Sequence, residues 1–125
     1  MCNNNKLINL DVSNNTALTA LDCYNNQLTS LNISNNTALE LVWCNDNRLT
    51  SLDVSKNTSL RQLFCSDNQL ISLDISNNNA LEYIVLSTMP ILNKVCVWTM
   101  PFPLAEVQVD TTGSPNVYFT MECSN

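Results

Sequence analysis

Histidine is missing from the sequence, and basic residues are few. Without histidine the chain lacks the side chain that most often acts as a general base and a common ligand for metals. Five lysines and arginines stand against eleven acids, giving a formal charge of −6 and no basic surface for phosphate groups. We therefore expect no catalytic residues, no metal, no cofactor, and no nucleic-acid partner.

Glycine occurs once, aromatic residues make up only 6% of the chain, and no apolar run is long enough to span a membrane. Turns must form without glycine, and the abundant asparagines suit them because asparagine tolerates the left-handed backbone region. The first residues, 1–5, lack the basic-then-apolar pattern of a secretion signal. The sequence predicts no membrane insertion.

A repeat of 21 residues dominates the sequence. Its first half follows L-x-x-L-x-C-x-x-N-x-L and its second half L-x-x-L-x-I-x-x-N, so two leucine-rich half-units are nested in each period. Each half carries an alternating strand pattern, which predicts two strands per coil and two parallel sheets. The aliphatic columns include Leu7, Leu28, Leu49, Leu70; Leu10, Leu31, Leu52, Leu73; and Leu21, Val42, Leu63, Ile84.

These columns predict a mainly β, right-handed leucine-rich-repeat solenoid with two short parallel sheets. Residues 1–90 form the array of about four coils, and the period fails after Leu86. Residues 91–125 are predicted as a β-rich C-terminal cap, with strands near 95–98, 106–110 and 116–120. Because the chain starts within a repeat, we expect it to be a fragment.

Four aromatic residues in the C-terminal segment have two interpretations. They either cover the core of the last coil, as terminal repeats require, or line a binding pocket. The covering role is favoured. The four are Trp98, Phe102, Tyr118 and Phe119.

Two asparagine columns follow the same period. An inward amide can bond backbone groups left free where a strand ends, so these residues are interpreted as scaffold. One column contains Asn26, Asn47 and Asn68, and the other contains Asn15, Asn36, Asn57 and Asn78.

The cysteines fall into a column of four and a separate pair. Cys2, Cys23, Cys44 and Cys65 share a column whose next member is Leu86, which indicates an inward apolar position and free thiols. Disulfides between stacked neighbours are the alternative, and metal binding is disfavoured because the ligands are not clustered. The pattern places Cys96 in the outward column of Asp74, where a disulfide with Cys123 is predicted.

The outward positions differ between the two half-units. The Asp/Ser/Asn half is nearly constant, whereas the cysteine half varies and collects aromatic and aliphatic side chains. Such an exposed apolar patch predicts a binding surface, although stacking that stabilises the sheet or a homodimer contact are alternatives. The candidate surface comprises Tyr24, Leu41, Trp43, Arg61, Phe64, Tyr83 and Val85.

The motifs at 18–28 and 49–57 resemble those of bacterial extracellular leucine-rich-repeat proteins with 21-residue nested repeats. The similar proteins include internalins with a cysteine ladder and secreted proteins of Bacteroidetes. The resemblance implies a non-enzymatic adhesion or recognition module, secreted or at the cell surface, that binds a protein or glycan on a host or neighbouring cell. A structural spacer that presents a fused domain is the alternative. We expect a monomer or a weak homo-oligomer.

Overall fold

The computed structural model describes residues 2–123, and the regular elements in this range are all β-strands of three residues. None of these residues belongs to a helix long and apolar enough to cross a membrane. The strands are β1 (Ala20–Asp22), β2 (Leu41–Trp43), β3 (Gln62–Phe64), β4 (Ser72–Asp74), β5 (Tyr83–Val85), β6 (Lys94–Cys96), β7 (Gln108–Asp110) and β8 (Tyr118–Thr120).

The strands form the two parallel sheets predicted from the nested repeat. The larger sheet has the order β1-β2-β3-β5-β7 and the smaller sheet has the order β4-β6-β8. In the larger sheet the register pairs residues one period apart, so Leu21, Val42, Leu63 and Ile84 stack in one inward row. The leucine-rich-repeat solenoid is therefore confirmed.

The second strand of each coil is present only towards the C-terminus of the array. Residues 31–33 and 52–54 form no strand, although their sequence pattern matches that of β4. On this side the earlier coils are joined by asparagine side chains: the Asn57 amide nitrogen donates to the carbonyl oxygens of Ile33 and Asn36, at 3.0 and 2.9 Å. Side-chain donors therefore supply coil-to-coil hydrogen bonds where the prediction expected strand pairing.

The C-terminal strands continue both sheets. β6 and β8 extend the smaller sheet and β7 extends the larger one, all within or overlapping the predicted strand segments. The coil is longer here than the 21-residue period, as the pairing of Tyr83 with Gln108, 25 residues later, shows. The segment after residue 90 thus adds coils of unequal length to the stack, and its treatment as a separate cap remains a proposal.

Aromatic side chains cover the core at this end. The ring centroid of Phe102 lies 5.2 Å from that of Trp98 and 4.9 Å from that of Phe119, and all three pack against the buried aliphatic cluster. Tyr118 differs, since it is 53% exposed. The covering interpretation therefore holds for three of the four aromatic residues.

In the half of each coil that forms the larger sheet, the turn adopts the left-handed conformation without glycine. Asn4 and Asn25 have φ angles of 60° and 59°, while Asp46 and Asp67 take the same place in later coils at 57° and 55°. Asparagine and aspartate tolerate this region better than other residues that carry a Cβ atom. Asparagine therefore shares with aspartate the role predicted for it.

The cysteine column is buried as predicted. Cys23, Cys44 and Cys65 are fully buried free thiols, and Cys2 is a partly buried free thiol. Burial raises the pKa of Cys23 and of Cys65 to about 12. Because the thiolate is the reactive form, these side chains are chemically inert in the folded chain.

The remaining two cysteines are joined in the structure. The register places Cys96 beside Asp74, and a disulfide links Cys96 to Cys123, with their Cα atoms 5.4 Å apart. The bond ties the last described residues to the middle strand of the smaller sheet.

Alkylation of the unfolded, unreduced chain is expected to modify four thiols, and alkylation after reduction to modify six. The mass difference between the two samples measures the number of bonded cysteines. Six modified thiols without reductant would disprove the Cys96–Cys123 bond.

Candidate functional site

The outer face of the larger sheet carries most of the predicted surface. In a strand alternate side chains point outward, so each three-residue strand contributes its first and third residues to this face. The register then builds two outward rows across the coils. The first row is Ala20, Leu41, Gln62, Tyr83 and Gln108, and the second is Asp22, Trp43, Phe64, Val85 and Asp110.

Trp43 and Phe64 form the centre of this face. Their ring centroids are 5.6 Å apart with an interplanar angle of 15°, so the two rings stack along the solenoid axis. The Trp43 indole N–H donates to the Gln62 amide oxygen at 3.3 Å, which fixes the indole against the next strand. Both rings remain half-buried, so they are held in place and still offer surface to a partner.

Leu41, Tyr83 and Val85 extend the apolar centre on both sides of the stack. Leu41 in β2 is paired with Gln62 in β3. Tyr83 and Val85 both lie in β5, the strand next to β3. Tyr83 is 41% exposed, the largest exposure of any described aromatic residue on this sheet. We name the five residues Leu41, Trp43, Phe64, Tyr83 and Val85 the apolar strip.

Two predicted residues lie beside the strip. Tyr24 follows β1 by two residues and is half-buried, with its backbone bonded to Asn4. Arg61 precedes β3, and its guanidinium donates two hydrogen bonds to one Glu82 carboxylate oxygen, at 3.1 and 2.9 Å. Both partners are about half exposed, 54% and 45%, so Arg61 forms part of the rim with its charge compensated.

The rim of the apolar strip is acidic. Asp22 and Asp110 stand at the two ends of the second outward row. Glu40 and Glu82 lie one coil before and one coil after Arg61, each just ahead of a strand. A hydrogen bond from the Thr112 backbone lowers the pKa of Asp110, which keeps that carboxylate charged. The predicted surface did not include Asp22, Gln62 and Glu82, because its residues were selected mainly for apolar character. Asp22 and Gln62 nevertheless lie in the two outward rows, and Glu82 lies just before β5.

The groups around this face suit binding better than chemistry. The thiols of Cys23, Cys44 and Cys65 lie behind the sheet, where burial keeps them protonated. Elsewhere, Asp74, Cys96 and Cys123 bring three ligand-type atoms within 4.8 Å of one another. Both sulfurs there are used by the disulfide, so this cluster offers one carboxylate and no thiolate ligand.

Two solved structures share this architecture. The functional domain of InlJ from Listeria monocytogenes, which includes a cysteine ladder, is similar with a TM-score of 0.83 and 29% identity over 93% of this chain. The leucine-rich-repeat ectodomain of the receptor kinase SOBIR1 from Arabidopsis thaliana matches 86% of the chain with a TM-score of 0.67 and 22% identity. No protein-family model and no curated protein matches the sequence.

The resemblance to leucine-rich-repeat proteins of the cysteine-ladder internalin type is confirmed by the first structure. The second supports the fold alone. The chain spans 25% of the length of the internalin chain and 64% of that of the plant ectodomain. The fold and the resemblance together support a protein-binding or recognition module.

Proposed function

We propose that this chain is a non-enzymatic, protein-binding module of a secreted or surface-displayed protein, and that the apolar strip is its contact surface. The observation that carries the proposal is the stacked Trp43–Phe64 pair at the centre of an outward, half-exposed face. Aromatic side chains at the centre of an interface supply most of its binding energy, and a polar rim excludes water around them. The strip and its acidic rim have this arrangement.

A protein partner suits the strip better than a glycan. Sugar rings stack on open aromatic faces, but Trp43 and Phe64 turn one face each towards the other, with centroids 5.6 Å apart. Besides the remaining face of each ring, the pair offers ring edges and the neighbouring Leu41 and Val85 side chains, which suit apolar protein side chains. The internalin resemblance supports an extracellular placement, which is part of the proposal.

Replacing Trp43 or Phe64 by alanine is expected to weaken binding to a protein partner by about 2 kcal/mol, roughly thirtyfold, because each removes a central aromatic contact. Binding is measured by surface plasmon resonance against a panel of purified ectodomains from host and neighbouring cells. Circular dichroism checks that each variant remains folded.

Tyr118→Ala is the matched control, since it removes an exposed tyrosine from the smaller sheet. It is expected to leave affinity unchanged. A panel member that binds wild type, Trp43→Ala and Phe64→Ala equally well would disprove the strip as the contact surface. A concentration-dependent dimer that Trp43→Ala abolishes would instead assign the strip to self-association.

A further inference from the structure

Three metal-ligating side chains meet on the outer face of the smaller sheet. One oxygen of the Asp74 carboxylate and the sulfur atoms of Cys96 and Cys123 lie within 4.8 Å of one another. Asp74 and Cys96 are paired in register on the neighbouring strands β4 and β6, and Cys123 follows β8, which pairs with β6. Strand pairing therefore brings the three groups together, although the two cysteines are 27 residues apart in the sequence.

The redox state of the two cysteines decides what this cluster can bind. In the oxidised chain both sulfurs belong to the Cys96–Cys123 disulfide. A dithiol reductant gives two electrons and two protons to this bond, which leaves two cysteine thiols while the reductant itself becomes a disulfide. A divalent cation then replaces the two thiol protons, which are released to the solution. Reduction thus converts a cross-link into a set of two thiolates and one carboxylate.

This ligand set and its spacing suit zinc. Zinc binds thiolates at about 2.3 Å and carboxylate oxygens at about 2.0–2.2 Å, in tetrahedral geometry. Two thiolates on one zinc ion are then about 3.8 Å apart, so the sulfurs separate by only about 2 Å from their bonded distance. The Cα atoms of Cys96 and Cys123, 5.4 Å apart, are compatible with this separation through side-chain rotation alone. Water completes the fourth position, as it does in other zinc sites with three protein ligands.

Two neighbouring side chains prepare the cluster for a cation. Ser76 donates its backbone N–H and its hydroxyl to Asp74 Oδ1, at 2.9 and 2.6 Å, and Oδ2 takes no hydrogen bond from any residue that the structure describes. Hydrogen bonds of this kind orient ligating carboxylates in metal sites. Lys94 lines the same cavity as Asp74 and both cysteines. A zinc ion with two thiolates and one carboxylate has one negative charge in excess, and the Lys94 ammonium offsets it.

The cysteine column does not provide a competing site. Cys23, Cys44 and Cys65 lie in the core, where burial raises the pKa of each thiol well above its ordinary value. No second cluster of three ligand groups occurs between residues 2 and 123. The column thiols, Cys2 included, are free in the oxidised chain as well, so any metal that they bind is common to both redox forms.

We propose that Asp74, Cys96 and Cys123 form a zinc site that is available only when the Cys96–Cys123 disulfide is reduced. Zinc binding then reports the redox state of the chain, because a dithiol must open the site before the metal enters. The inference goes beyond the proposed function, since the cluster lies on the smaller sheet and the apolar strip on the larger one.

Cadmium serves as the probe, because it binds thiolates as zinc does and gives an ultraviolet thiolate-to-metal charge-transfer band. The full chain is reduced with a trialkylphosphine, which takes oxygen from water to become the phosphine oxide, and the excess is removed under argon. Cadmium is then titrated into the reduced and the untreated chain in parallel. The untreated chain keeps the four column thiols and lacks only the thiols of Cys96 and Cys123, so it is the control.

The reduced chain is expected to develop the band up to one equivalent of cadmium and to lose it when excess zinc is added. The untreated chain is expected to show no band. Asp74→Asn is expected to weaken binding at least about tenfold, because a direct anionic ligand is lost. Asp53→Asn is the matched control: this carboxylate, one coil earlier, accepts the same kind of hydrogen bond from Ser55 but lies outside the cluster. It is expected to leave binding unchanged.

Three results would overturn the inference: no band in the reduced chain, an equal band in the untreated chain, or unchanged binding in Asp74→Asn. A band that persists in the reduced double variant Cys96→Ser, Cys123→Ser would assign the metal to the column thiols and contradict it as well. Circular dichroism follows the fold of every sample, and loss of the fold on reduction would also count against the site. Because none of these measurements involves a partner, the zinc site and the apolar strip can fail independently.

Discussion

Asn47→Ala is expected to lower the free energy of unfolding by about 3 kcal/mol. The Asn47 Oδ1 atom accepts the backbone N–H of Leu28 at 3.0 Å, and both groups are buried. Its Nδ2 donates to the carbonyl oxygens of Cys23 and Cys44, each at 3.1 Å. Alanine leaves the Leu28 N–H without a partner and opens a small cavity, and these two costs together give the expected loss.

Asn47→Ala costs the Cys23 and Cys44 carbonyl groups less than it costs the Leu28 N–H group. Cys23 O also accepts from Asn26, and Cys44 O also accepts from Asn68, so the asparagine column shares its acceptors between adjacent coils. The buried N–H of Leu28 has no second acceptor among the described hydrogen bonds. The expected cost therefore comes mainly from one orphaned donor.

Asn57 provides a matched comparison in the other asparagine column. Its Nδ2 donates to Ile33 O and Asn36 O, but its buried Oδ1 has no partner among the described residues. Asn57→Ala orphans no backbone donor and removes an unsatisfied oxygen, so the expected loss is about 1 kcal/mol. Asn35→Ala, at an exposed position, is expected to change stability by less than about 0.5 kcal/mol.

Urea unfolding followed by circular dichroism measures the three differences. The order of loss is expected to be Asn47, then Asn57, then Asn35. Equal losses for Asn47→Ala and Asn57→Ala would contradict the argument, because the hydrogen-bond acceptor role distinguishes the two columns.

The sequence predicted the larger sheet well because the repeat provides its own alignment. Successive residues of a row, such as Leu21, Val42, Leu63 and Ile84, are one period apart in the sequence. The register of the sheet pairs these same residues. The smaller sheet was predicted less well. The pattern of residues 31–33 and 52–54 matches that of β4, yet no strand forms there, and asparagine side chains join the successive coils instead.

The C-terminal segment shows a second limit of periodicity. Strands β7 and β8 were located in the sequence, but their membership in the two existing sheets was not, because the coil there exceeds 21 residues. For the surface, alternation predicted which residues face outward. Pairing of Arg61 with Glu82 depends on side-chain positions that a pattern of residue types does not contain.

Alkaline solution is expected to destabilise the chain through its buried thiols. Burial raises the pKa of Cys65 from 9.0 to about 12, and the pKa of Cys44 also lies well above 9.0. Below pH 9 both the folded and the unfolded chain hold the Cys65 proton, so this thiol gives stability no pH dependence. Between pH 9 and about 12 the unfolded chain releases the proton and the folded chain retains it, so stability falls as pH rises.

Near pH 11 the expected loss from Cys65 alone is about 3 kcal/mol, and the other buried thiols of the column add to it. Urea unfolding at a series of pH values between 8 and about 11 measures the loss. Cys65→Ala is the control: it is less stable at pH 8 because a buried side chain is shortened, but its stability declines less steeply with pH. Tyrosine and lysine ionisation is common to both proteins and cancels in the comparison. Parallel pH profiles for wild type and Cys65→Ala would show that the cysteine column does not couple folding to thiol ionisation.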